Sequence, residues 1–235
     1  FIFMASMLEK SGVIEEVFDV AYKWLGRIPG GLAVATVVAS TVLAAMVGVI
    51  GAAVVTMALV ALPSMLRRGY SPVLAVGTVM AGGTLGILIP PSVLAIVYGL
   101  VANQSVGELY LGSVFPGLVL SGLYILFSVG YALLNPKAAP RLSPEETPTW
   151  SERWRALRSI WSPLVLMFLV LGTIFLGLAA PTEAAAIGAF GAMVVAAITM
   201  PGGTAAPSTR YRNPSFTRSS LGSRARKKAG TPMSR

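Results

Sequence analysis

Apolar residues fill long stretches of this chain, and charge returns only at intervals. Leu32–Leu66, Gly69–Gly107, Leu109–Pro136, Ser159–Thr182 and Ala184–Thr209 contain no Asp, Glu, Lys or Arg. Each exceeds the roughly 20 apolar residues that a membrane-crossing helix needs, although the last runs into a polar tail. None shows the strict alternation of a β-barrel strand. The pattern predicts an all-α, multi-pass membrane protein. One segment differs. Within 8–26, Ile14, Val17, Phe18, Ala21 and Leu25 recur at helical spacing, while Glu15, Glu16, Asp19 and Lys23 take the rest of the wheel. This predicts an amphipathic helix lying on the membrane surface. The sequence "RIPGG" then turns the chain into the bilayer.

Leu32–Leu66 has 35 residues, too many for one straight span and too few for two full spans with a turn. Lys23 and Arg27 precede it and Arg67 and Arg68 follow it. Basic residues flanking membrane segments favour the cytoplasmic side. Two short helices meeting near Gly48–Gly51 satisfy length and charge together, as a re-entrant hairpin over 32–66. The competing reading is one long tilted helix. The remaining topology follows: a broken helix over 69–102 crossing outward, an outer loop with Glu108, and a helix over 109–134 crossing back. A cytoplasmic loop over 135–158 carries Lys137, Arg141, Arg153, Arg155 and Arg158. Helices over 159–178 and 181–199 complete the set. Every Lys and Arg of 1–199 then falls on one side.

The stretch "GGTLGILIPPS", residues 82–92, interrupts an apolar run with what a helix tolerates worst. Proline has no amide hydrogen, and its ring collides with the carbonyl four residues earlier. Pro90 therefore frees the carbonyl of Gly86, and Pro91 that of Ile87. Gly82, Gly83 and Gly86 allow close backbone approach, and Thr84 adds a hydroxyl. Unwound carbonyls of discontinuous helices hold Na⁺ in secondary transporters; the alternative is a proline kink packed on small residues. The hairpin tip, "MVGVIGAA", offers a turn with Gly48 and Gly51, with Thr56 the nearest hydroxyl downstream; close helix packing is the preferred account of its small apolar residues. Glu183 follows Pro181 in "APTEAAAIGAFGA". A carboxylate in a first helical turn favours the positive end of the helix dipole, so capping is preferred over ion or gating work.

Composition agrees: 55% of residues are hydrophobic and 11% charged, and the mean hydropathy is +0.76. The chain has no Cys and no His, which excludes thiol and triad chemistry and the usual zinc sites. With the remaining acids near apolar segments at predicted edges, an intramembrane enzyme is not expected, nor any tightly bound cofactor. The net charge of +9 is carried by the tail: its eight basic residues, taken from the total of 18, leave ten against nine acids. Residues 200–235 are read as a basic disordered tail rather than a nucleic-acid or lipid binder. The chain opens in mid-pattern and changes character after Met200, so truncation at both ends is expected.

"RIPGGLAVATVVAS", "LPSMLRRGYSPVLAVGTVMAGGTLGILIPPSVLAIVYG" and "APTEAAAIGAFGA" together resemble the large membrane subunit, of DctM type, of tripartite ATP-independent periplasmic (TRAP) transporters. The resemblance covers about residues 1–199, and the tail matches nothing. It implies half of an inverted-repeat elevator transporter in the bacterial inner membrane: a sodium-driven importer of organic acids, C4-dicarboxylate-like. It implies a small TRAP membrane subunit and a periplasmic substrate-binding protein as partners, and Na⁺ as the coupling ion. By matching motifs, Gly48 and Gly51 fall at the tip of the ion-binding hairpin, and Gly83, Thr84, Gly86, Ile89 and Pro91 in the broken helix. Val47, Val49 and Ile50 stand where many relatives carry serines, so any site leans on backbone oxygens. The rival to a transporting subunit is an inactive remnant or a non-transporting membrane assembly partner.

Overall fold

A computed structural model describes residues 1–48, 50–140 and 150–199, and these are helical with no strand. The elements are α1 (Ile2–Lys10), α2 (Val13–Leu25), α3 (Gly31–Val47), α4 (Ile50–Arg67), α5 (Pro72–Leu88), α6 (Val93–Ala102), α7 (Val106–Leu134), α8 (Trp150–Ser159), α9 (Trp161–Phe175) and α10 (Pro181–Thr199). The chain is all-α with several apolar helices, as a multi-pass membrane protein requires. By length and composition α4, α7 and the Pro72–Ala102 segment can each cross a membrane, while α3, α9 and α10 are shorter apolar helices.

The surface helix expected over 8–26 differs from the observed elements. Leu8–Lys10 close α1, and a new helix begins at Val13. The break lies at Ser11–Gly12: Ser11 Oγ turns back to the Leu8 carbonyl at 2.7 Å, and Gly12 adopts φ 78°. Both features end a helix rather than extend it. The expected apolar face survives within α2, where Ile14, Val17, Phe18 and Ala21 are buried, Glu15 and Asp19 are exposed, and Lys23 pairs with Asp19 at 2.6 Å. The segment expected over 159–178 also narrows: α9 stops at Phe175, and the turn closes through Leu178 N–H donating to the Thr173 carbonyl. Arg141, the rest of 141–149 and the tail 200–235 lie outside the described residues, as does Val49.

Helix α3 is the centre of the packing. It is apolar around its whole circumference and buried almost throughout, from Gly31 to Val47, which is the signature of a core helix. It packs on α5, α2, α4 and α7, and α4 also packs on α5. Lipid tails are as apolar as leucine, so helix association here rests on close van der Waals contact. Small residues supply it: Ala33, Ala35, Ala39 and Ala44 are buried in α3, and Gly82 and Gly83 in α5. A Cβ on Gly82 would meet the Ser40 side chain, and one on Gly83 would run into Val54 of α4. The outward faces are apolar and bare: Leu59 is 73% exposed, Phe115 75% and Val101 79%. In water such a surface would be a liability; facing lipid it is the expected exterior.

Candidate functional site

Two interruptions of helix meet in this fold. The first is the turn between α3 and α4. Gly48 ends α3 in the left-handed conformation, φ 65°, and its N–H donates to the Ala44 carbonyl at 3.1 Å. The second is the break between α5 and α6. Helix α5 stops at Leu88, and Ile89 is extended at φ −87° and ψ 119°. A residue preceding proline is pushed out of the α region by the proline ring, and Ile89 precedes Pro90. Helix resumes after Ser92, whose Oγ accepts from the Ala95 N–H at 3.4 Å as an N-cap.

The two interruptions satisfy each other. The first amides of a helix have no intrahelical acceptor, and unpaired backbone groups are costly away from water. The Val93 N–H of α6 donates to the Gly48 carbonyl at 3.3 Å. A Cβ on Gly48 would collide with the Pro91 carbonyl oxygen, so the contact needs glycine for space as well as for φ. From α7, Tyr110 reaches in and donates its hydroxyl to the Ser92 carbonyl at 3.2 Å; its ring is fully buried. Ile89 is buried and lies where a Cβ on Gly117 of α7 would touch it. Its only oxygen available to the site is the main-chain carbonyl.

Of the residues expected at a cation site, the structure gathers Gly48, Ile89, Pro90 and Pro91 at this junction. Gly83 and Gly86 are buried in the last turns of α5 leading into it. Gly51 is exposed, with nothing within 4 Å of a built Cβ. Thr84 points elsewhere: its hydroxyl donates to the Ala81 carbonyl at 2.7 Å and lies 3.3 Å from the Tyr124 hydroxyl of α7. Thr56 is likewise committed, donating to Glu9 of α1 at 2.8 Å. Glu183 Oε2 accepts from the Ala180 N–H at 2.9 Å. With Pro181 opening α10, that is the return half of a capping box, so this carboxylate caps the helix. Among the described residues no group of three Asp, Glu, His or Cys converges as a metal site, so a cation here would be held by neutral oxygens.

Sequence reasoning passed over three polar groups. Ser92 was legible, since a serine before an apolar helical run is an N-cap signal. Tyr110 carries no local signal, because its partner lies 18 residues away. Ser40 is fully buried, and among the described residues its hydroxyl has no hydrogen-bond partner. It sits about two turns, roughly 12 Å, before the tip, against Gly82 and outside the junction itself.

The family model for the tripartite ATP-independent periplasmic transporter, DctM component, matches residues 1–221. The chain belongs to this family. The match passes the limit near residue 199 that the motifs alone suggested, so the tail's first part is included. The DctM-family chain is 37% identical over 189 residues to the C4-dicarboxylate TRAP transporter large permease protein DctM of Vibrio cholerae, covering 80% of this chain and 41% of that protein. It is 32% identical over 186 residues to the ectoine TRAP transporter large permease protein TeaC of Halomonas elongata, covering 79% and 42%. It is 31% identical over 199 residues to the isethionate TRAP transporter permease protein DctMQ of Oleidesulfovibrio alaskensis, covering 83% and 30%. The chain therefore spans about two fifths or less of the length of these relatives. As a DctM-family member it is a multi-pass protein of the inner membrane.

Proposed function

We propose that the chain forms the hairpin and broken-helix part of a sodium-coupled permease that imports small organic acids. In this reading α3 and α4 enter and leave the membrane from the cytoplasmic side. The junction of Gly48 with Pro90–Pro91 holds Na⁺ through main-chain oxygens. The observation that carries the reading is the seating of the Gly48 turn on the Pro91 carbonyl, because it brings two non-helical backbones together among apolar helices. The carbonyls of Gly86 and Ile87, denied helical donors by Pro90 and Pro91, supply further oxygens. A neutral cage suits an ion that must enter and leave in every cycle. Relatives are named for C4-dicarboxylate, ectoine and isethionate, so the proposal names a class, with C4-dicarboxylates as the first substrates to try. A small TRAP membrane subunit and a periplasmic substrate-binding protein complete the system; one relative is a DctMQ permease protein.

The test uses a full-length homologue carrying this motif, reconstituted in proteoliposomes with its two partners. Replacing Pro90 and Pro91 together by alanine restores the helical donors. Sodium-dependent uptake falls by at least tenfold while membrane insertion persists. An unchanged dependence of uptake on sodium would leave the prolines as a kink and remove the ion from this junction.

A further inference from the structure

Away from the junction, three tryptophans meet where α2 packs on α8. The ring of Trp24 lies 5.8 Å from that of Trp150 and 6.1 Å from that of Trp154, and the last two are 6.3 Å apart. The Trp24 indole N–H donates to the main-chain carbonyl of Arg153 at 3.4 Å. Arg153 itself is 8% exposed, with its guanidinium carbon 6.0 Å from the centre of the Trp150 ring. Its Nε and Nη2 are buried and have no hydrogen-bond partner among the described residues.

Those two nitrogens share one edge of the guanidinium. Together they make the fork that grips two oxygens of a phosphate or carboxylate side-on. A buried guanidinium with its donors unmet is costly. An anion presenting two oxygens fits this fork. Tryptophans mark the boundary between hydrocarbon and water, which is the depth of a lipid phosphate. In sequence α8 carries Arg153, Arg155 and Arg158 against the single Glu152, and such an excess attracts anionic headgroups. We propose that Arg153, walled by Trp24, Trp150 and Trp154, seats the phosphodiester of one membrane phospholipid and so fastens α8 to α2.

Native mass spectrometry of the detergent-purified full chain tests this with phosphatidylglycerol, with diacylglycerol of the same acyl chains, and with inorganic phosphate. The wild type retains one phosphatidylglycerol and no diacylglycerol, and equimolar inorganic phosphate does not displace the lipid. Arg153→Lys keeps the charge without the fork and weakens retention about tenfold, equivalent to about 1.4 kcal/mol. Arg153→Gln abolishes retention, with helical content by circular dichroism unchanged in both variants. Equal retention by wild type and Arg153→Gln would overturn the assignment. So would displacement by equimolar inorganic phosphate, which makes the seat one for the free ion.

Discussion

Proline occurs inside apolar segments at two kinds of place in this molecule, with opposite results. Pro63 lies within α4 and Pro116 within α7, and both helices run on without interruption. Pro90 and Pro91 end α5, and helix does not resume until Val93. A lone proline removes one helical hydrogen bond and tilts one carbonyl aside. Around Pro63 the affected carbonyl belongs to Leu59, on the outer face. Around Pro116 it belongs to Gly112, which has open space beside it. Two adjacent prolines remove two successive bonds and force the preceding residue extended. What then fixes the break is its surroundings: the Ser92 cap, the Gly48 carbonyl on the Val93 amide and the Tyr110 hydroxyl on the Ser92 carbonyl. Here the break is held by neighbours that satisfy the backbone groups where α6 begins.

That contrast can be attacked at several strengths. Gly48→Val should do the most damage, because it combines a left-handed residue with a Cβ driven into the Pro91 carbonyl. Adding the cost of that conformation to that of overpacking gives roughly 2–5 kcal/mol. A fall in melting temperature and loss of uptake in the full-length homologue check it, and wild-type behaviour would mean the two interruptions do not touch. Tyr110→Phe should cost about 1 kcal/mol, the value of one hydrogen bond. The Ser92 carbonyl retains the Ile96 amide at 3.3 Å, so the variant inserts normally and melts a few degrees lower. Pro116→Ala should do least: α7 gains a donor, and neither melting temperature nor sodium dependence falls. A transport defect in Pro116→Ala as large as that of the double variant at Pro90 and Pro91 would erase the distinction between the two kinds of proline.

Much of this was legible in the sequence, because the signals are local. Charge-free runs mark the apolar helices, a repeat of helical period marks the buried face of α2, and two prolines mark the end of α5. Glu183 was legible as a cap from its place after Pro181. Helical phase was the hard part. Helix α5 is apolar on every side, so nothing in its sequence says that Gly82 and Gly83 face α3 and α4 while the Thr84 hydroxyl turns to Tyr124 of α7. Gly51 looked like part of the tip because the turn's length could not be counted from apolar residues alone. The helix stop at Ser11–Gly12 was hidden because the repeat that marks the buried face begins only at Ile14, so nothing in it places the break before α2.

Tyr70, in the turn after α4, has one further consequence. Its hydroxyl accepts from the Leu32 amide at 3.2 Å, joining points 38 residues apart. Burial pushes this phenol's pKa up, against smaller downward pulls from the Leu32 amide and Arg68, so it stays neutral. The two feet of the helical pair are thereby clasped, and the intervening chain is a closed ring. Closing such a ring is costly in entropy, but the cost grows only slowly with its length. A motion that parts the two feet has to break this bond, at about 1 kcal/mol, whereas one that rocks both arms together about the phenol leaves it intact.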